Sequence, residues 1–511
     1  MEMRSKPKSE IENIVLLFPK FENEKDYINP VMISLVFFLT FLLVWYWQKW
    51  SHPKKFPPGP RRPIPVIGDT YILDQDLYKG FCDLIDSYGN FCGFWMGSSR
   101  AVLINDFEAC LDILNRNEST GRQKVAAEAF RGGYSFGSTP GIGFSEGYTW
   151  SIVRKTCLQL LRNLGMGKQG FEDVISEEVS KFVSYIQDHH AKQPVNIVDI
   201  FHQAFFTTNW RILNGESLPI DDAKVERILV IEKGIIAEHG NPFFVLSYES
   251  EMKAKIMYWL GLTQLVPYMV QLRKEMEEII QDVKANGIQA SYQSLNEALQ
   301  FTMEQNENGP LSNGEIGQRN LWNIMLDLIL AGSDATGSAL QWCFTYMVLH
   351  PDTQEKILQD IESGTDAYTD AFIHEVHRKG KGVAPSVFHS ALEDISYKEY
   401  FIPKGTIVIA FLGGIMSNPN DFPDPEKFDP DRYLSYEDGK LKFTPHPKVI
   451  PFGIGKRRCI GESIAKIALK QYVREVVNHF KVETNDVVED AAKPGYVRGP
   501  KHFEIMFNPR K

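Results

Sequence analysis

The chain has 511 residues, 43% of them apolar and 12% aromatic, which excludes an intrinsically disordered protein and allows a large buried core. A net charge of -10 excludes nucleic acid as the expected partner. Six scattered cysteines (82, 92, 110, 157, 343 and 459) form neither metal-ligand pairs nor a disulfide framework, as expected in a reducing, cytosol-facing compartment.

After a tail over residues 1–26, no charged residue occurs from Tyr27 to Gln48. At about 1.5 Å per residue this run is long enough, as a helix, to cross a hydrocarbon layer roughly 30 Å thick. Residues 27–50 are therefore expected to form a transmembrane anchor. Trp45, Tyr46, Trp47 and Trp50 would lie in the interfacial belt, with Lys49, Lys54, Lys55, Arg61 and Arg62 on the cytoplasmic side. A cleaved signal would begin nearer Met1 and end in small residues. Residues 51–62, with Pro57-Pro-Gly-Pro60, read as a stiff hinge ahead of a single catalytic domain over 63–511, since no low-complexity linker or repeat divides the rest.

Beyond the hinge helical patterns dominate. Short strands are expected at Ala101–Ile104 and over Tyr400–Val408, where Pro403-Lys-Gly405 reads as a hairpin turn. The longest helix is expected from about Asn320 to His350, closed by Pro351 and apolar nearly all round. Its interior nevertheless carries Gly332, Asp334, Thr336 and Gly337. A buried unpaired Asp costs several kcal/mol and a helical Gly about 1 kcal/mol against Ala, so the sequence marks a site there.

Near the C-terminus, Phe452-Gly-Ile-Gly-Lys-Arg-Arg-Cys459-Ile-Gly461 surrounds one cysteine with three cations and places it before a predicted helix N-terminus. Both effects are expected to lower the thiol pKa and favour a metal thiolate. Gly453 and Gly455 permit a tight turn, and Gly461 leaves room for a flat macrocycle.

At these residues the chain resembles the cytochrome P-450 superfamily of haem-thiolate monooxygenases: Phe452, Gly455, Arg457, Cys459 and Gly461 match every fixed position of its signature. Glu375-Val-His-Arg378, Pro425-Glu-Lys-Phe428-Asp-Pro430-Asp-Arg432-Tyr433 (with Tyr433 for a usual Phe) and Trp150-Ser-Ile-Val-Arg154 match further segments in the right order. The likeness runs from about Pro57 to the C-terminus. Leu161-Arg-Asn-Leu-Gly-Met-Gly-Lys168 resembles the microsomal branch of drug- and steroid-metabolising enzymes.

The resemblance implies a mainly α fold with a small β region, and haem on Cys459 with Phe452 packed at its edge. It implies a buried triad of Glu375, Arg378 and Arg432, and propionates held by Trp150, Arg154, His389 and Arg457. Ala331-Gly-Ser-Asp334-Ala335-Thr336 resembles the oxygen-activation segment, in which an acid and the Thr after it relay protons. Asp334 matches the acid, but Ala335 stands where the Thr belongs. Thr336 points about 100° away around the helix, whereas Ser338 lies one turn along from Ala335 and could partly fill the gap. The implied partners are an NADPH-dependent flavoprotein reductase docking on Lys155, Lys448, Lys456 and Arg458, a small haem electron donor, the endoplasmic reticulum membrane and an apolar small-molecule substrate. Two alternatives stay open: a reductase-independent isomerase or dehydratase of a lipid hydroperoxide, and a non-catalytic haem-binding sensor or carrier. Residues 123–147 and 201–261, where specificity is expected, carry no legible motif.

Overall fold

The structure, a computed structural model, describes residues 34–41, 51–60, 63–64, 67–72, 76–122, 140–167, 169–238, 251–285, 293–305 and 315–510. The chain divides into two compact units, Met1–Lys54 and Lys55–Lys511. In the first, residues 34–41 are helical with exposed apolar side chains such as Phe37 and Phe41, and the rest of the expected anchor lies outside the described residues. Among the described residues no helix is long and apolar enough to cross a membrane.

The second unit is mainly helical. Six helices position the site: α1 (Gly147–Asn163), α2 (Ile197–Asn214), α3 (Ala223–Glu238), α4 (Glu315–Leu349), α5 (Ala367–Gly380) and α6 (Glu462–His479). The long apolar α4 is central, with α2 packed along it. Phe201 of α2 stacks on Phe344 of α4 at 4.3 Å between ring centroids, inside the largest apolar cluster. A helix that must bury most of its circumference needs neighbours on several sides, and α5 and α6 also pack against it.

A five-stranded sheet lies beside these helices in the order β1 (Phe91–Met96), β2 (Ser99–Ile104), β5 (Ile407–Ala410), β4 (His389–Ser390), β3 (Gly121–Arg122). β2 and β5 run parallel, with Val102 opposite Val408, and the other pairs are antiparallel. Alternate residues feed two separate clusters, Val102, Ile104, Val408 and Ala410 on one face, Leu103, Ile407 and Ile409 on the other, so the sheet is buried on both. The Pro-rich segment docks on β1, where Gly93 N–H donates to Pro58 O at 2.8 Å.

The expected hairpin over Tyr400–Val408 is corrected. Pro403 and Thr406 do form a turn, but Tyr400–Ile402 pairs backwards with Ile395–Tyr397, while Ile407–Ala410 enters the large sheet. The physical reason is burial: all four residues of β5 are apolar and fully covered, which a two-stranded ribbon cannot provide.

Candidate functional site

The region below the cysteine is fixed by a buried ion pair. Arg378 of α5 grips Glu375 with two hydrogen bonds of 2.8 Å, and both side chains are fully buried. Arg378 also donates to the carbonyls of Met416, Pro425 and Lys427, and Arg432 stands 3.3 Å from Glu375. The triad expected from the motifs is thus assembled, and Tyr433 joins it by donating its hydroxyl to Glu375 at 2.7 Å. On the other side of α5, His377 meets the ring of Phe452 edge-on at 5.5 Å.

Cys459 closes the following turn, its N–H donating to Phe452 O at 2.9 Å. Gly453 and Gly455 adopt positive φ (74° and 79°), and a Cβ on Gly455 would stand 2.3 Å from Leu114 O, so only glycine fits. The sulfur precedes α6, whose N-cap is Gly461. The thiol opens to the surface, yet desolvation by the protein packed around the turn pushes its pKa up and outweighs the Gly461 N–H, Arg154 and Arg458, which pull it down, so the expected depression is not found. A coordinated metal ion is what deprotonates such a thiol outright.

Arg457 lies over the Trp150 ring at 4.1 Å and donates to the carbonyls of Thr120, Ile142 and Ser145. Arg154, one turn after Trp150 on α1, donates to Arg458 O at 2.6 Å. A third guanidinium, which the motifs did not single out, is Arg122 on β3. It donates to Gly143 O at 3.0 Å and pairs in register with His389 on β4. Burial, then repulsion from Arg122 and Arg154, pushes Arg457 down to about 8, with Glu146 offsetting part of this. Arginine keeps its proton in proteins, so the strain reads as a demand for anions. His389 is different: its Nδ1 donates to Ser119 O at 2.9 Å, and burial with Arg122 and Arg457 holds its pKa well below the usual value. In that neutral tautomer Nε2 is an acceptor, so His389 can bind a carboxylate only by gaining a proton.

The loop supplying these carbonyls hangs from α4. Asp327 accepts the N–H groups of Ile142 and Gly143, each at 2.8 Å. A carboxylate inside an apolar helix was the one available sequence signal for it.

Further along α4, Ala331 is exposed and Ala335 half-buried, while Thr336 and Ser338 are buried. Ser338 Oγ faces the C-terminal segment, 3.6 Å from where a Cβ on Gly499 would stand. Asp334 is turned toward α2, with Oδ1 3.3 Å from His202 Nε2. Neither His202 nor Glu232 of α3, also buried there, carries a sequence motif.

A cysteine in a glycine turn, a helix face of alanines and three clustered guanidiniums suit an iron macrocycle bearing two carboxylates. That donor set defines a haem-thiolate oxidoreductase. Residues 57–507 match the family described as Cytochrome P450, and the chain belongs to that family, whose members hold haem through a cysteine thiolate. It is 26% identical over 509 residues to cytochrome P450 2E1 of Sus scrofa, covering 93% of this chain and 97% of that protein. It is 28% identical over 517 residues to cytochrome P450 2E1 of Oryctolagus cuniculus (94% and 99%), and 26% over 514 residues to cytochrome P450 2C5 of the same species (94% and 100%). The protein is accordingly an oxidoreductase of the monooxygenase class.

Proposed function

We propose that this enzyme inserts one oxygen atom from O2 into an apolar small molecule, using NADPH electrons delivered by a flavoprotein reductase. The carrying observation is the pairing of the Cys459 turn with the cluster of Arg122, Arg154 and Arg457. Cys459 is assigned as the axial ligand and the three arginines as the propionate clamp, with Trp150 stacked beneath Arg457. Bound haem supplies O2 activation, and a thiolate ligand favours O–O cleavage. The chain's own part is to hold the thiolate, keep the carboxylates in place and bring protons along α4. Exposed Lys155, Lys456 and Arg458 on the Cys459 side suit an acidic reductase or a small haem donor, setting mainly the encounter rate. Residues 27–50 are assigned as the endoplasmic reticulum anchor and 51–62 as the hinge to the catalytic domain.

The test is NADPH consumption by the reconstituted protein and reductase, scored for its dependence on an apolar substrate and for the red-shifted Soret band of the reduced carbonyl adduct. One observation favours a second reading: the open side of α4 presents Ala331 and Ala335, with no hydroxyl at 335 to hold a relay water. Conversion of a lipid hydroperoxide without NADPH needs no such relay, so rapid turnover under those conditions selects the isomerase instead.

A further inference from the structure

The junction of α2, α3 and α4 holds three titratable side chains, His202 and Glu232 buried and Asp334 partly so. His202 of α2 is 7% exposed, with Nε2 3.3 Å from Asp334 Oδ1, and neither ring nitrogen makes a hydrogen bond among the described residues. A Cβ on Gly337 would stand 2.4 Å from His202 Cδ2, so the imidazole lies directly on α4, one turn past Asp334. Glu232 of α3 is 2% exposed, and its Oε1 has no hydrogen-bond partner among the described residues. Burial and then the charge of Asp334 push its pKa well up, favouring a neutral acid. A half-satisfied buried network of this kind is costly as mere structure. Outside it, at the α2–α3 edge, stand the exposed pair Lys233–Asp199 and the nearby Lys493.

We propose that Glu232 and His202 form, with Asp334, a proton store that supplies α4 from its α2–α3 side and so takes over the task of the hydroxyl missing at residue 335. The inference rests on the monooxygenase reading. Each step moves one proton and no electron. The Asp334 carboxylate takes a proton from the His202 imidazolium and passes it on toward the open face of α4. Glu232 reprotonates His202, directly or through one water, and solvent at the Lys233–Asp199 edge refills Glu232. Glu232 and His202 are positioning residues acting through Asp334.

Two measurements on the full-length holoprotein decide this. Infrared spectra at neutral pH should show the C=O stretch of a neutral carboxyl that vanishes in Glu232→Gln and shifts in His202→Gln and Asp334→Asn. Hydrogen peroxide released per NADPH should rise by about ten-fold in His202→Gln and Glu232→Gln, with Glu232→Asp restoring coupling. The carbonyl spectrum certifies that each variant is folded. A wild type lacking the infrared band overturns the proposal, as does a folded His202→Gln with unchanged coupling and an unshifted band. If the wild type consumes no NADPH, the monooxygenase reading falls and the relay loses its task, while the band still decides whether Glu232 stores a proton.

Discussion

The triad beneath the cysteine and the cluster beside Asp334 are both buried and both charged, yet they are finished to different degrees. Glu375 and Arg378 have no exposed surface, and the Glu375 acceptors are all engaged. At the other junction one acid, Asp334, stands 3.3 Å from an imidazole, and among the described residues His202 and Glu232 keep unpartnered buried atoms. A saturated network freezes one geometry, whereas an unsaturated one can change protonation state. The first region is a foundation and the second a working part.

The sharpest way to break this contrast is at the foundation's neighbour. Cys459→Ser should abolish the red-shifted carbonyl band and all NADPH-driven turnover. An unchanged band would remove the ligand assignment. Next in size, Arg378→Met leaves a buried carboxylate without its main partner and should cost about 3–5 kcal/mol, read by thermal or denaturant unfolding. A mild effect there would erase the distinction between the regions.

Acid should also find the foundation first. Burial holds His374 down to about 3 and His377 down to about 4. Their folded pKa values lie below the unfolded value near 6.5. Stability is therefore fully present above that value and is lost as pH falls toward 4, at roughly 1 kcal/mol per pH unit for each histidine. His377→Leu should flatten that slope in a pH series of denaturation midpoints.

Smaller effects sharpen the working part. Ala335→Thr should lower peroxide release per NADPH by about ten-fold in a His202→Gln background, equivalent to about 1.4 kcal/mol in a barrier, and should leave the wild type, whose proton store already performs that task, nearly unchanged. A ten-fold gain in the wild type itself would show that the store does not replace the hydroxyl. Smallest of all, Tyr433→Phe should cost about 1 kcal/mol of stability with turnover intact, as one hydrogen bond leaves a saturated acid.

What was legible in the sequence was whatever one short segment carries by itself. The Cys459 turn needs glycine at 455 because Leu114 O is close, and Glu375 reaches Arg378 because they lie three residues apart on one helix. Arg122, Asp327, His202 and Glu232 act only across distant segments, so no local spacing announces them. The sequence reads Tyr400–Val408 as one hairpin, whereas Tyr400–Ile402 and Ile407–Ala410 take different partners, for the same reason: strand partners are chosen by burial in the whole sheet. Residues 123–139 and 239–250, part of the expected specificity regions, lie outside the described residues.

Glu375 has about four lone-pair directions, and Arg378 fills two, the Asp429 N–H a third and the Tyr433 hydroxyl the fourth. Arg432, at 3.3 Å, thus finds no open acceptor on the acid and spends its own donors on the carbonyls of Pro423, Lys427 and Asp429. The arrangement carries an understudy. Losing Tyr433 frees a lone pair that Arg432 is already placed to take, and losing Arg432 leaves the acid fully engaged. Redundancy of this sort lets either residue vary while the floor under the metal ligand stays where it is.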